Sequence, residues 1–232
     1  MKEFNYKRFC WQYKHLYEKV NPHTIRNILD VGCGDGELVI SFAKMFPKAN
    51  VIGIDKYGRY KESNERRAKA EKMIVDYELS KRCRIEQANA LNLSFPDASF
   101  DLIHVRNALH HMFNSFDADS SGKIVSFFKK IEALLNKKGF LIISEIGPVN
   151  YISYLKYILP QWLIYIPQAH NMDYNSKLAH QEWMDCLKKA GFNIIFLDHY
   201  SPYRLRYLRK ILSSEFSSRF FYSAYTILAQ SH

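Results

Sequence analysis

The residues with the most chemical potential lie at the ends of short apolar runs. Ile28-Leu29-Asp30-Val31-Gly32-Cys33-Gly34-Asp35-Gly36-Glu37-Leu38 joins one such run to a helical pattern through a glycine-rich turn. Glycines placed this way let a backbone turn tightly and approach a ligand without Cβ clashes. A dinucleotide fingerprint carries its third glycine three residues after the second, where this chain has Glu37, so Gly36 comes early. The loop also holds Asp30, Asp35 and Glu37 with no Lys or Arg. Those carboxylates repel the phosphates that a helix start otherwise attracts. A nucleoside without phosphate, bearing a cationic reacting end, fits better. Asp55 closes a second apolar run, 23 positions beyond Gly32, near the spacing at which an acid reaches ribose hydroxyls. After a further apolar run come Arg106-Asn107-Ala108-Leu109-His110-His111. Histidine titrates near neutrality and suits general-base work. Consecutive positions on a helical turn diverge by about 100°, so one of His110 and His111 is expected to face a cleft. His170 and His180 are secondary candidates.

DVGCGDG, Asp30 to Gly36, resembles motif I of class I S-adenosylmethionine-dependent methyltransferases of the small-molecule type. Further features follow in the family's order across roughly residues 27–146. They are Asp55, Asn89-Ala90, the Phe95-Pro96 to Phe100-Asp101 turn before a buried strand, and Lys137-Lys138-Gly139. The resemblance implies S-adenosylmethionine as cofactor and no metal. It places Asp30, Gly32, Cys33, Gly34, Gly36, Asp55, Lys56, Asn89, Ala90 and Arg106 around that cofactor, with Asp55 on the ribose and Asn89-Ala90 on the adenine. The family usually has an acid where Asn89 stands. An amide can accept from the adenine amine and donate to a ring nitrogen, so the base can still be read.

Methyl transfer from a sulfonium is an in-line displacement in which the cofactor carries the hard chemistry and the protein supplies position. Alignment of two bound reactants accounts for about 7–11 kcal/mol of barrier lowering. A base is needed only where the nucleophile must lose a proton, and His110 and His111 are the catalytic candidates for that step. The chain lacks an NPPY or DPPY segment and a Pro-Cys nucleophile, which disfavours methylation of DNA bases. Ser144-Glu145-Ile146-Gly147 faintly resembles the acidic loop of protein arginine methyltransferases, but the second Glu is missing.

The elements that must position these residues alternate. A helix is expected over residues 3–20, a strand over 25–31, a helix to about Phe46 and a strand over 50–55. A surface helix over 60–80, a strand over 84–88, a strand over 100–105 and a helix over 124–135 follow, then a strand over 140–146. A helix over 176–190 and strands over 192–198 and 220–229 complete the pattern. Such alternation predicts an α/β fold, a Rossmann-like, doubly wound seven-stranded sheet, mostly parallel with an antiparallel last strand. Residues 1–232 read as one domain, with an N-terminal cap helix over 1–22. Residues 147–175, dense in Tyr, Trp, Leu and Ile, read as a helical lid insertion.

The net charge of +10 favours acidic partners. Arg204, Arg206, Arg209 and Lys210 beside Leu205, Leu208, Ile211 and Leu212 form a basic amphipathic stretch. A small-molecule acceptor is therefore expected, apolar or aromatic, delivered from an anionic membrane surface or an acidic carrier protein. Nucleic acid, as in RNA or tRNA methylation, is the weaker partner because the basic residues are dispersed, and a non-enzymatic cofactor-binding scaffold is the remaining alternative. Four cysteines without metal-ligand spacing read as reduced thiols of a cytoplasmic protein, peripheral at most to a membrane.

Overall fold

The computed structural model describes residues 19–58, 63–113, 120–148, 180–200 and 222–232. The expected helix over 3–20, the lid beyond Pro148, His170 and the basic stretch at 204–210 lie outside the described residues, apart from the helix's last two residues. The elements run β1 (Asn27–Val31), α1 (Glu37–Met45), β2 (Asn50–Asp55), α2 (Ser63–Asp76), β3 (Cys83–Gln87), β4 (Phe100–Arg106), α3 (Leu109–Met112), α4 (Ser120–Leu134), β5 (Leu135–Pro148), α5 (His180–Lys189), β6 (Asn193–Tyr200) and β7 (Tyr222–Gln230). They build the expected seven-stranded sheet, in the order β3-β2-β1-β4-β5-β7-β6. β7 runs antiparallel to both β5 and β6, and the pairings among β1 to β5 are parallel.

Strands buried on both faces explain the continuous apolar runs. Ile28 and Leu29, adjacent in β1, pack into different clusters because successive side chains leave opposite faces of a strand. On one side Ile28, Val51, Leu102 and Ile142 meet α1 and α2. On the other, Leu29, Ile103 and Ile143 meet α4 and α5. The apolar stripe of α4, Ile124, Phe127, Phe128, Ile131 and Leu134, has the spacing of one helical face.

Two boundaries differ from expectation for physical reasons. β5 begins at Leu135, directly after α4, but Leu135 pairs with Phe100 and Phe140 with Leu102, so Asn136–Gly139 bulge from the ladder. Regular pairing therefore starts at Phe140, where the sequence places it. The bulge is held by Asp101, which accepts from Asn136 Nδ2 at 2.7 Å and from the backbone N–H groups of Arg26 and Asn27 at 2.7 and 2.9 Å. α2 ends at Asp76 because Glu78 adopts a left-handed φ of 57°. Among the described residues, no helix is long and apolar enough to cross a membrane.

Trp183 on α5 is 2% exposed and meets Phe113 and Phe128 edge-on, with ring centroids 6.5 and 6.1 Å away. It joins α5 to α4 and to the segment after β4. Trp183→Ala should cost about 3–5 kcal/mol of stability, read as a lower urea midpoint with an unchanged slope.

Candidate functional site

The carboxyl ends of β1, β2 and β4 open onto one cleft of about 950 Å³. Its floor is the glycine loop. Gly32 N–H and Cys33 N–H both donate to Ile54 O, at 2.8 and 3.0 Å, and Gly34 N–H donates to Asp55 Oδ2 at 3.0 Å. Gly36 N–H donates to Cys33 O at 2.9 Å. These four loop donors are committed internally, whereas the first-turn N–H groups of α1 carry no side-chain cap.

The expectation of an uncompensated acidic loop is corrected. Asp35 meets Arg66 at 2.6 Å and Lys69 at 2.5 Å, both reaching over from α2. Burial alone raises the Asp35 carboxyl, but these two partners outweigh it and hold the group below its ordinary range. The sequence argument against phosphate rested on charge. With that charge compensated, what limits the loop as an anion site is the commitment of the Gly32, Cys33, Gly34 and Gly36 N–H groups.

Asp55 Oδ1 accepts from Tyr57 N–H at 3.1 Å, and the Tyr57 hydroxyl donates back to Gly34 O at 2.7 Å. Tyr57 holds φ at 36°, a costly region for a bulky residue. The Cys33 thiol lies 3.5 Å from the same hydroxyl. Burial first, then the Asp30 charge, pushes the Cys33 thiol well up, and burial does the same to the Tyr57 phenol. The Cys33 thiol and the Tyr57 phenol thus stay protonated beside the Asp55 carboxylate. Each Asp55 oxygen has one bond and can accept another.

Of the residues read from sequence, Gly32, Cys33, Gly34, Asp55, Lys56, Asn89, Ala90, Arg106 and His111 line the cleft. Asp30, Gly36 and His110 are not among its lining residues, so of the two adjacent histidines one, His111, faces the cleft. Asp30 is 1% exposed and turns beneath the loop, where its Oδ1 meets His104 Nδ1 at 2.9 Å across the β1–β4 register. Gly36 has a packing role. With φ at 75°, its missing Cβ leaves room for Ala70 of α2, which an added methyl would approach to 2.7 Å. His110 is drawn away by Glu145, whose Oε2 lies 2.7 Å from His110 Nδ1. The His111 ring lies 4.0 Å from the His110 ring, tilted by 48° to it, and is itself exposed to the cleft. His180, at the start of α5, lies 5.7 Å from the Tyr225 ring and does not line the cleft.

Asn89 Oδ1 accepts from Leu91 N–H at 3.1 Å, capping a short 3-10 turn. Because the donor is a backbone N–H, the atom facing it must be oxygen. The amide nitrogen is therefore the polar atom with no such commitment. Tyr57, Arg66 and His104 were not singled out from sequence, and Glu145 figured there only in the faint acidic-loop resemblance of Ser144 to Gly147. A histidine within the buried run of β4 was a usable signal. Among the described residues, no group of three or more His, Cys, Asp or Glu is arranged to hold a metal ion.

A family model described as a methyltransferase domain matches residues 23–207. The chain belongs to the class I S-adenosylmethionine-dependent methyltransferase family. The methyltransferase is 30% identical to the demethylmenaquinone methyltransferase of Lactobacillus johnsonii over 141 residues, which is 60% of this chain and 52% of that one. It is 37% identical to the 27-O-demethylrifamycin SV methyltransferase of Amycolatopsis mediterranei over 86 residues, covering 37% and 29% of the two chains. The chain thus spans about half or less of the length of the curated relatives it matches. In fold it is similar to the geranyl diphosphate C-methyltransferase of Streptomyces coelicolor, with a TM-score of 0.70 at 12% identity over 97% of this chain and 80% of that one.

The glycines of the methyltransferase allow a direct test. Gly36→Ala forces a left-handed alanine against α2, whereas Gly58→Ala, at φ 81°, meets nothing within 4 Å. Left-handed backbone alone costs about 1–2 kcal/mol. Both variants should therefore melt lower, with Gly36→Ala falling further because the Ala70 backbone cannot yield. Equal melting temperatures would show that α2 does not press on the loop.

Proposed function

We propose that this methyltransferase transfers the methyl group of S-adenosylmethionine to a small, apolar or aromatic acceptor. One observation carries this reading: an acceptor-only carboxylate, Asp55, and a histidine, His111, line the same cleft, over a glycine loop whose Gly32, Cys33 and Gly34 N–H groups are committed to β2. The residues fit the cofactor. Asp55 has acceptor capacity for two ribose hydroxyls, and the Asn89 amide nitrogen suits a ring nitrogen of the adenine. Bound there, the cofactor supplies a methyl carbon on a sulfonium, a good leaving group. Gly32, Cys33 and Gly34 let it approach the backbone, and Lys56, Ala90 and Arg106 complete its surroundings.

The acceptor class rests on the relatives, whose names specify demethylmenaquinone and 27-O-demethylrifamycin SV. It also rests on the aromatic and aliphatic content of residues 151–166. Delivery from an anionic membrane surface or an acidic carrier protein belongs to the same proposal, through the +10 charge and Arg204 to Lys210. Where the acceptor is a hydroxyl, His111 or His110 takes its proton.

Calorimetry with S-adenosylhomocysteine should show micromolar binding, and radiolabelled methyl transfer to a panel of phenols and hydroquinones should identify the acceptor class. No binding of the homocysteine product, or binding of NAD in its place, sinks the reading. Asp55→Ala should weaken that binding by about 1.5–3 kcal/mol, the range for hydrogen bonds to a charged group.

With a hydroxyl acceptor, His110→Ala or His111→Ala should lower turnover by roughly 10²–10⁴ at unchanged cofactor affinity. Full activity in both variants would show that neither ring acts as base.

A further inference from the structure

Gly34 is held on three sides of its backbone. Its N–H donates to Asp55 Oδ2 at 3.0 Å, and its carbonyl accepts from the Tyr57 hydroxyl at 2.7 Å. Its open Cα face, with φ at 51°, is covered by the Arg66 guanidinium of α2, so an added Cβ would strike Nη2 and lie 3.3 Å from Cζ. Arg66 and Asp55 therefore flank one residue, and both line the cleft. They do not pair with each other. Among the described residues, Arg66 has its ion pair with Asp35, through Nε at 2.6 Å, and the Asp55 oxygens hold the N–H groups of Gly34 and Tyr57. The hydrogen bond to Asp35 raises the Arg66 guanidinium above its ordinary range in spite of burial, and the Asp55 charge adds to that.

Asp35 fixes the guanidinium in this place. Lys69, further along α2, takes the other Asp35 oxygen at 2.5 Å, so the carboxylate is held from two sides and keeps Nε engaged. The donors on Nη1 and Nη2 remain, on a side chain that is 51% exposed. A cation with spare donors thus stands beside a carboxylate with spare acceptor capacity. A group that bridges them must donate to one and accept from the other. A hydroxyl does both through one oxygen, whereas a carbonyl only accepts and an ammonium only donates. We propose that Arg66 is a positioning residue for the ribose of S-adenosylmethionine, its Nη groups donating to the oxygen of a hydroxyl that itself donates to Asp55. The inference rests on the assignment of Asp55 to the ribose. It gives α2 a part in selecting a ribonucleoside over a deoxy counterpart, and it makes the glycine at position 34 the berth of the guanidinium.

Arg66→Met removes the donors and keeps an unbranched side chain. The buried residues of α2 are Ser63, Ala70, Met73 and Ile74, so the helix keeps its packing. Asp35 keeps Lys69 and is not left without a cation. If Arg66 only steadies the loop, the substitution weakens every ligand alike. A direct bond weakens only those ligands that carry the hydroxyl.

The test is calorimetry on the full chain, wild type against Arg66→Met, with S-adenosylhomocysteine and its 2′-deoxy and 3′-deoxy analogues. Arg66→Met should bind S-adenosylhomocysteine about tenfold more weakly, near the low end for a charged donor because the guanidinium is half exposed. For one of the two deoxy analogues the same substitution should change affinity less than about twofold. Arg66→Lys can hold Asp35 but lacks the second arm of the fork, so it should give the same pattern, and it decides if Arg66→Met does not fold. Equal losses for all three ligands overturn the proposal, because Arg66 would then act through the loop. Unchanged affinity for S-adenosylhomocysteine overturns it as well. A wild type that binds none of the three removes the cofactor reading and this inference together, an outcome distinct from equal losses in a protein that binds.

Discussion

Ile54 and Asp55, the last two residues of β2, accept hydrogen bonds from three successive loop residues, Gly32, Cys33 and Gly34. Most of the site follows from that arrangement. It ties the turn after β1 to the neighbouring strand, so the loop's shape is set by sheet register and not by the loop's own flexibility. It also commits three backbone donors of the turn that could otherwise face an anion. Tyr57 then closes the arrangement from the other side, its backbone on Asp55 and its hydroxyl on Gly34. The left-handed backbone at Tyr57 is a local cost offset by these bonds.

A second strand exit repeats the device. Asp55 at the end of β2 accepts backbone N–H groups from the glycine loop and from its own turn, and Glu145 in β5 accepts two from the start of α3. In both cases a carboxylate from one strand organises the segment that follows another. Each oxygen of such a group has room for more than one donor. The difference between them is exposure. Asp55 stands on the cleft wall, where remaining capacity can meet a ligand. Glu145 is enclosed, and the contacts of both its oxygens stay within the protein.

The sheet was legible in the sequence because strands buried on both faces read as continuous apolar runs and the helices between them carry a clear face. Motif I, Asp55 and the paired histidines were legible because their spacing places them just beyond strand ends. The partners of these residues were not. Arg66 is one basic residue among many on a charged helix, and nothing in sequence links it to Asp35, 31 positions away. Asp30 was legible as an acid of the loop, yet its direction depends on His104, which stands opposite it only through the β1–β4 register. Which histidine faces the cleft likewise depends on Glu145, a contact between residues 35 positions apart. Periodicity reports burial, whereas hydrogen-bond pairing across the sheet belongs to tertiary structure.

The position of β7 has a kinetic consequence. Glu145 sits opposite Tyr225 in the β5–β7 ladder, and Ser144 Oγ lies 3.1 Å from Thr226 Oγ1, across 82 positions of chain. β5 is therefore flanked on both sides only after a strand made far later has inserted between it and β6. Contacts at such separation form late, because the closure entropy of the intervening chain precedes their reward. During synthesis the glycine loop can reach its register against β2 early, from residues close in sequence. The enclosure of Glu145, and with it the setting of His110, must wait for β7 to leave the ribosome and dock. The glycine-loop half of the cleft is thus assembled before the half around His110 and Glu145.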